Sequence, residues 1–148
     1  MNTETLTQLF ARDFEKLETE IFEYSTEENL WIKEPGINNS AGNLGLHLAG
    51  NLAHFLGAIL NNSGYIRDRE FEFNGKVDRD ELISRIRDSR KSVRETLDNL
   101  TPEDFSKTYP LQPFGFEMST EYFLIHLYSH FSYHLGQINY HRRLLDKL

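Results

Sequence analysis

The chain has 148 residues, a common length for one domain, and its 39% hydrophobic and 26% charged content is enough for a proper core. A formal charge of −7, with no uninterrupted basic run, argues against nucleic-acid binding. The absence of cysteine excludes disulfides and thiolate metal sites, and no apolar stretch approaches the roughly 20 residues of a membrane span.

The N-terminal stretch MNTETLTQLFARDFEKLE is acidic and amphipathic rather than basic and then apolar, so no signal peptide is expected and the cytoplasm is the expected location. Leu6, Phe10, Phe14, Leu17, Ile21 and Tyr24 recur every three or four residues and predict a first helix over 3–24. Residues 25–40 break it with Pro35, Gly36 and several asparagines. Ser40 is placed to cap a second helix reaching 61 or 62, whose apolar stripe is Leu44, Leu48, Leu52, Phe55 and Ile59. Its glycines and alanines, Gly50 and Gly57 among them, form a small-residue surface suited to close packing or to a dimer.

The polar stretch 61–77 is long for a connection in a bundle, and such segments often carry function or local structure. Asp78 and Glu81 have the spacing of a capping box before a third helix that runs to about Leu100. Its basic region 85–95 is interrupted by acids and reads as a solvated face. Thr101-Pro102 opens a short helical turn. The stretch 109–119, with two prolines and a glycine among aromatics, predicts a hairpin or an ordered loop. A last helix follows over 119–147. The expected architecture is an all-α four-helix bundle with long connections, filling 1–148 as one domain.

Chemistry concentrates in the histidines. Four of the six, His126, His130, His134 and His141, lie on the last helix at spacings of four, four and seven. At about 100° per residue, such spacings leave them along one edge, and an i, i+4 imidazole pair can share one divalent ion. A further ligand has to come from His47 or His54, both on the second helix. His47 sits among Leu44 and Leu48, so a site of His47, His130 and His134 follows if the two helices meet. Asn51 and Gln137 are the nearest polar side chains for orienting the imidazoles. Any one of these histidines can equally be a hydrogen-bonded core residue. Gly136, inside the last helix, predicts a close packing contact. His141, near the helix end, reads as a cation favoured by the dipole. Trp31, Tyr65, Phe71, Phe73, Phe114 and Phe116 fall in the connections and are placed either to cap the core or to wall a pocket. Haem between paired imidazoles has no specific support.

The segment HFSYHLGQ (130–137), preceded by LGLHLAGNL on an earlier helix, resembles the DinB-like superfamily, in which a late His-x-x-x-His-x-Gly-Gln motif follows an upstream histidine. The likeness spans essentially the whole chain. Carried over by position, it implies His47, His130 and His134 as ligands, with His54 competing for the upstream place. It implies nickel, zinc or a similar divalent ion, open positions for water or a small-molecule substrate, and a homodimer. Known activities in the superfamily include transferases and an isomerase that use low-molecular-weight thiols, while others are named hydrolases. Against a metal-dependent enzyme stand two alternatives: a non-catalytic metal-binding or stress-associated dimer, closed by His54 or His126 as a fourth ligand, and an interaction module without metal.

Overall fold

The structure is a computed structural model and describes residues 2–147, so the outermost residues of the expected domain, 1 and 148, lie outside it. Four long helices carry the fold. Helix α1 is Thr3–Glu23. Helix α2 is Ala41–Leu52 and continues through a π-helical segment, Ala53–Ala58, into Ile59–Asn61. A short α3, Arg69–Asn74, lies in the polar connection, followed by α4, Arg79–Asn99, and α5, Thr120–Leu145. No β-strand forms among the described residues; isolated bridges join Glu34 to Ile37 and Thr108 to Ser119.

Local chemistry sets the helix starts. Ser40, Asp78 and Ser119 each accept a hydrogen bond from the backbone N–H three residues on, which satisfies one of the donors a helix N-terminus leaves unpaired. Asp68 does the same for α3. Thr101 and Asp104 form a capping box over the turn Pro102–Ser106, with Pro102 at its first position. Asn62, at φ 50°, ends α2 in the left-handed region.

The packing partners of α1 are α4 and α5, and those of α2 are also α4 and α5, so α1 and α2 face each other diagonally across the bundle. The long connection 24–40 makes that crossing, and the bundle is therefore not a simple up-and-down array. Phe10 and Phe14 of α1 meet Phe131 of α5 at ring separations of 6.1 and 4.9 Å, forming the centre of the buried apolar cluster. Ion pairs tie the edges. Glu18 accepts from Arg87 and Arg90 of α4, and Glu20 accepts from Arg142 of α5. The region 85–95 is thus solvated only in part.

The small-residue face of α2 is used within the chain. A methyl group added to Gly42 would meet the Trp31 ring, one at Gly57 would meet Ser92, and one at Gly45 would come within 3.3 Å of Leu82. Every residue of Ala41–Leu52 is buried. Gly136 differs from its expectation: it is exposed, and an added methyl there would meet nothing within 4 Å. No neighbouring helix approaches it, because the packed face of α5 carries Leu127, Phe131, Leu135 and Ile138 instead.

Candidate metal centre

Helices α2 and α5 pack side by side, and the contact brings three imidazoles together. His47 Nε2 lies 3.3 Å from His130 Nε2, and His134 Nε2 lies 3.1 Å from the same atom. All three ligand atoms fall within 4.8 Å of one another, an arrangement able to hold a metal ion. His47 is 5% exposed, and its partners are half-buried. The i, i+4 pair comes from α5, and the third ring reaches it from the buried middle of α2.

The far side of the outer two rings is anchored. His47 Nδ1 donates to Glu72 Oε1 at 3.0 Å, and His134 Nδ1 donates to Gln137 Oε1 at 2.7 Å. Each bond fixes the tautomer and leaves Nε2 with a free lone pair. Glu72 is 3% exposed and is itself held by Arg67, whose Nε and Nη2 reach the two carboxylate oxygens at 2.9 and 2.8 Å. Burial alone would raise the Glu72 pKa, but the hydrogen bonds from Arg67 and His47 outweigh it and hold the carboxyl below its ordinary value. Burial pushes His130 down to about 3, with the neighbouring imidazoles adding to the effect, and burial also lowers His134. Both rings are therefore neutral near pH 7, the form that ligates.

The donor set fits a cation. With Nδ1 of His47 and of His134 carrying hydrogens, their Nε2 atoms are acceptors, and both face His130 Nε2. That nitrogen bears at most one hydrogen, so at least one close contact sets lone pair against lone pair. A divalent ion between the three nitrogens removes the conflict. His130 Nδ1 is buried without a hydrogen-bond partner among the described residues.

These nitrogens open onto a cavity of about 460 Å³. Phe55, Phe73, Phe114 and Phe123 wall it, and Arg67, Arg69 and His126 line its polar side. Each aromatic arrives by a different route. Phe55 sits on the π-helical segment of α2, and its carbonyl accepts from Tyr109 Oη at 2.7 Å. Phe73 comes from α3 and lies 4.7 Å from the His47 ring. Phe114 stands on an ordered loop pinched at its neck by the Tyr109 N–H to Met118 carbonyl bond of 2.9 Å, and it meets His126 at 4.7 Å.

The family model described as "Protein of unknown function (DUF1572)" matches residues 4–147. The chain belongs to that family. The fold of this DUF1572 chain is DinB-like. A crystal structure of a DinB-like protein from Bacillus cereus superposes on it with a TM-score of 0.75, covering 95% of this chain and 90% of the other at 20% identity. No curated protein matches it.

The remaining histidines of the DUF1572 chain divide by position. His54 stays outside the cluster: seven residues carry it about 10 Å along the axis from His47, and its ring meets Phe55 at 4.8 Å instead. His126 lines the cavity beside His130, at 6.1 Å between ring centres, without joining the three. His141 corrects its expectation. It is 4% exposed, its Nε2 donates to the Ile32 carbonyl at 2.8 Å, and its Nδ1 meets the Tyr24 hydroxyl at 2.7 Å. It pins α5 to the segment after α1 rather than answering a helix dipole. Asn51 also departs from its expected role: it lines the cavity with Oδ1 unpartnered, and Glu72 orients His47 in its place.

Glu72 and Arg67 are site residues that the histidine pattern does not reveal. The Asp68 cap and the charge-aromatic alternation of DREFEF (68–73) are their only local signals. Gly50 is the third part of the device, because a methyl group there would collide with the Glu72 carboxylate.

Proposed function

We propose that this protein is a divalent-metal-dependent enzyme that acts on a small organic molecule by thiol-dependent transfer or by hydrolysis. In this reading His47, His130 and His134 hold nickel or zinc, ions that imidazole donors suit. The observation that carries the proposal is the cavity of about 460 Å³ opening directly onto three converging nitrogens, with no fourth protein ligand among the described residues. A site closed by a fourth side chain would favour a structural role, whereas three ligands and an open side favour catalysis. When bound, the ion acts as a Lewis acid and acidifies water or a thiol.

The chain's own groups do the rest. Glu72 and Gln137 hold two rings in the ligating tautomer, so little reorganisation accompanies loading. The phenylalanine wall excludes water from one side of the reacting atoms. With no cysteine in the chain, a thiol nucleophile has to arrive as a second small molecule.

The test is metal content and affinity of protein purified without a histidine tag, compared with His134→Ala, followed by a screen of small thiols against electrophiles and hydrolysable esters. One ion per chain in the wild type, an affinity loss of about a hundredfold in the variant and metal-dependent turnover support the reading. Stoichiometric metal with unchanged affinity in His134→Ala removes the ligand assignment.

A further inference from the structure

We infer that the cleft takes an organic anion with an apolar, ring-sized body, and that Arg69 meets its charged end; this rests on reading the cleft as the substrate site.

The first observation is the charge of the lining. The chain carries 23 acidic residues and a formal charge of −7, yet the cavity is lined by two arginines, four histidines and not one carboxylate among the described residues. A cleft of one sign with low-dielectric walls focuses its field and concentrates ligands of the opposite sign. An ion held by three neutral imidazoles would add to that field rather than cancel it.

The second observation separates the two arginines. Arg67 is committed: both carboxylate oxygens of Glu72 are bonded to it, and the pair is close to neutral. Arg69 is exposed, its guanidinium sits 5.6 Å from the centre of the Phe73 ring, and it forms no ion pair with any described carboxylate. Arg87, Arg90 and Arg142 are each paired with acids. Stacking on Phe73 leaves the guanidinium edge free, and that planar edge is suited to a carboxylate taken through two hydrogen bonds.

The third observation concerns the body of the ligand. Phe55, Phe73, Phe114 and Phe123 offer ring faces and edges around a space of about 460 Å³, enough for one aromatic ring and a short chain.

The probes are phenylacetate, its neutral isostere phenylacetamide, and phenethylammonium. Binding to the full chain is followed by NMR titration at low salt, first without metal and then with nickel. Phenylacetate is expected to bind metal-free protein at least tenfold more tightly than phenylacetamide, and phenethylammonium more weakly still. Arg69→Gln should lose at least fivefold for the acid and nothing for the amide; Arg69→Lys should restore part of the loss. Equal affinity for acid and amide, no binding of either, or an acid preference untouched by Arg69→Gln would each overturn the inference. An acid preference that appears only with nickel and survives Arg69→Gln assigns the anion to the ion and removes Arg69. Because the first titration is metal-free, failure of nickel to bind counts against the metal reading alone.

Discussion

Glu72 Oε1 stands 3.0 Å from His47 Nδ1, joining a helix of six residues in a surface connection to the buried middle of α2. The same carboxylate takes both arms of Arg67, so it is fixed before any ion arrives. It sets the His47 tautomer and so leaves the Nε2 lone pair facing the other two rings. Replacing Glu72 with Ala should weaken metal binding by about 10- to 100-fold and destabilise the fold by roughly 2–3 kcal/mol through the unpaired Arg67. Glu72→Gln, which keeps an acceptor, should lose less than about tenfold. Competition with a chromophoric chelator measures the affinities, and Glu72→Ala binding as tightly as wild type would remove the positioning role.

Two glycine substitutions should move in opposite directions. Gly50→Ala forces a methyl group into the Glu72 carboxylate, so the gain in helix propensity of up to about 1 kcal/mol is overrun by the displaced ion pair. Lower metal affinity and a lower Tm are expected together. Gly136→Ala has open space and a helical backbone, so only the propensity gain remains, about 0.5–1 kcal/mol or a few degrees in Tm. Thermal melts and chelator competition on the two variants decide this, and a stabilised Gly50→Ala with unaltered affinity contradicts it.

Features that depend on neighbours in sequence were legible, and features that depend on partners across the fold were not. Ser40, the Asp78–Glu81 spacing and Ser119 mark helix starts because a cap acts over three residues. His130 and His134 share a face because helix geometry is local. The choice between His47 and His54 is hidden from a face argument, since seven residues nearly restore the same angle; axial distance separates them. Glu72 lies 25 residues from His47, on a helix too short to show a period, so its role appears only when the connection folds back. His141 misled for the same reason: Tyr24 and the Ile32 carbonyl, which bury it, come from the other end of the chain.

Acid should loosen the metal-free fold before ordinary carboxylates titrate. His130 is pushed down to about 3 in the folded chain by burial first and by its neighbouring imidazoles second, and His134 is lowered as well. An unfolded histidine titrates at about 6.5. Between those two values the unfolded chain holds protons that the folded chain refuses, so stability is fully present above about pH 6.5 and is lost as pH falls toward 3. The Tm of metal-free protein should fall from pH 7.5 to 5, and His130→Asn should fall less steeply; parallel curves would contradict this. The same depression protects metal binding. Three ordinary imidazoles would lose roughly 50-fold in affinity between pH 7.5 and 6.0 through proton competition. With His130 and His134 both held below the ordinary imidazole value, the loss should fall well short of that. Chelator competition at pH 7.5 and 6.0 reads this directly, and a drop near the full value of roughly 50-fold would mean that the three rings are solvated and independent rather than packed against one another.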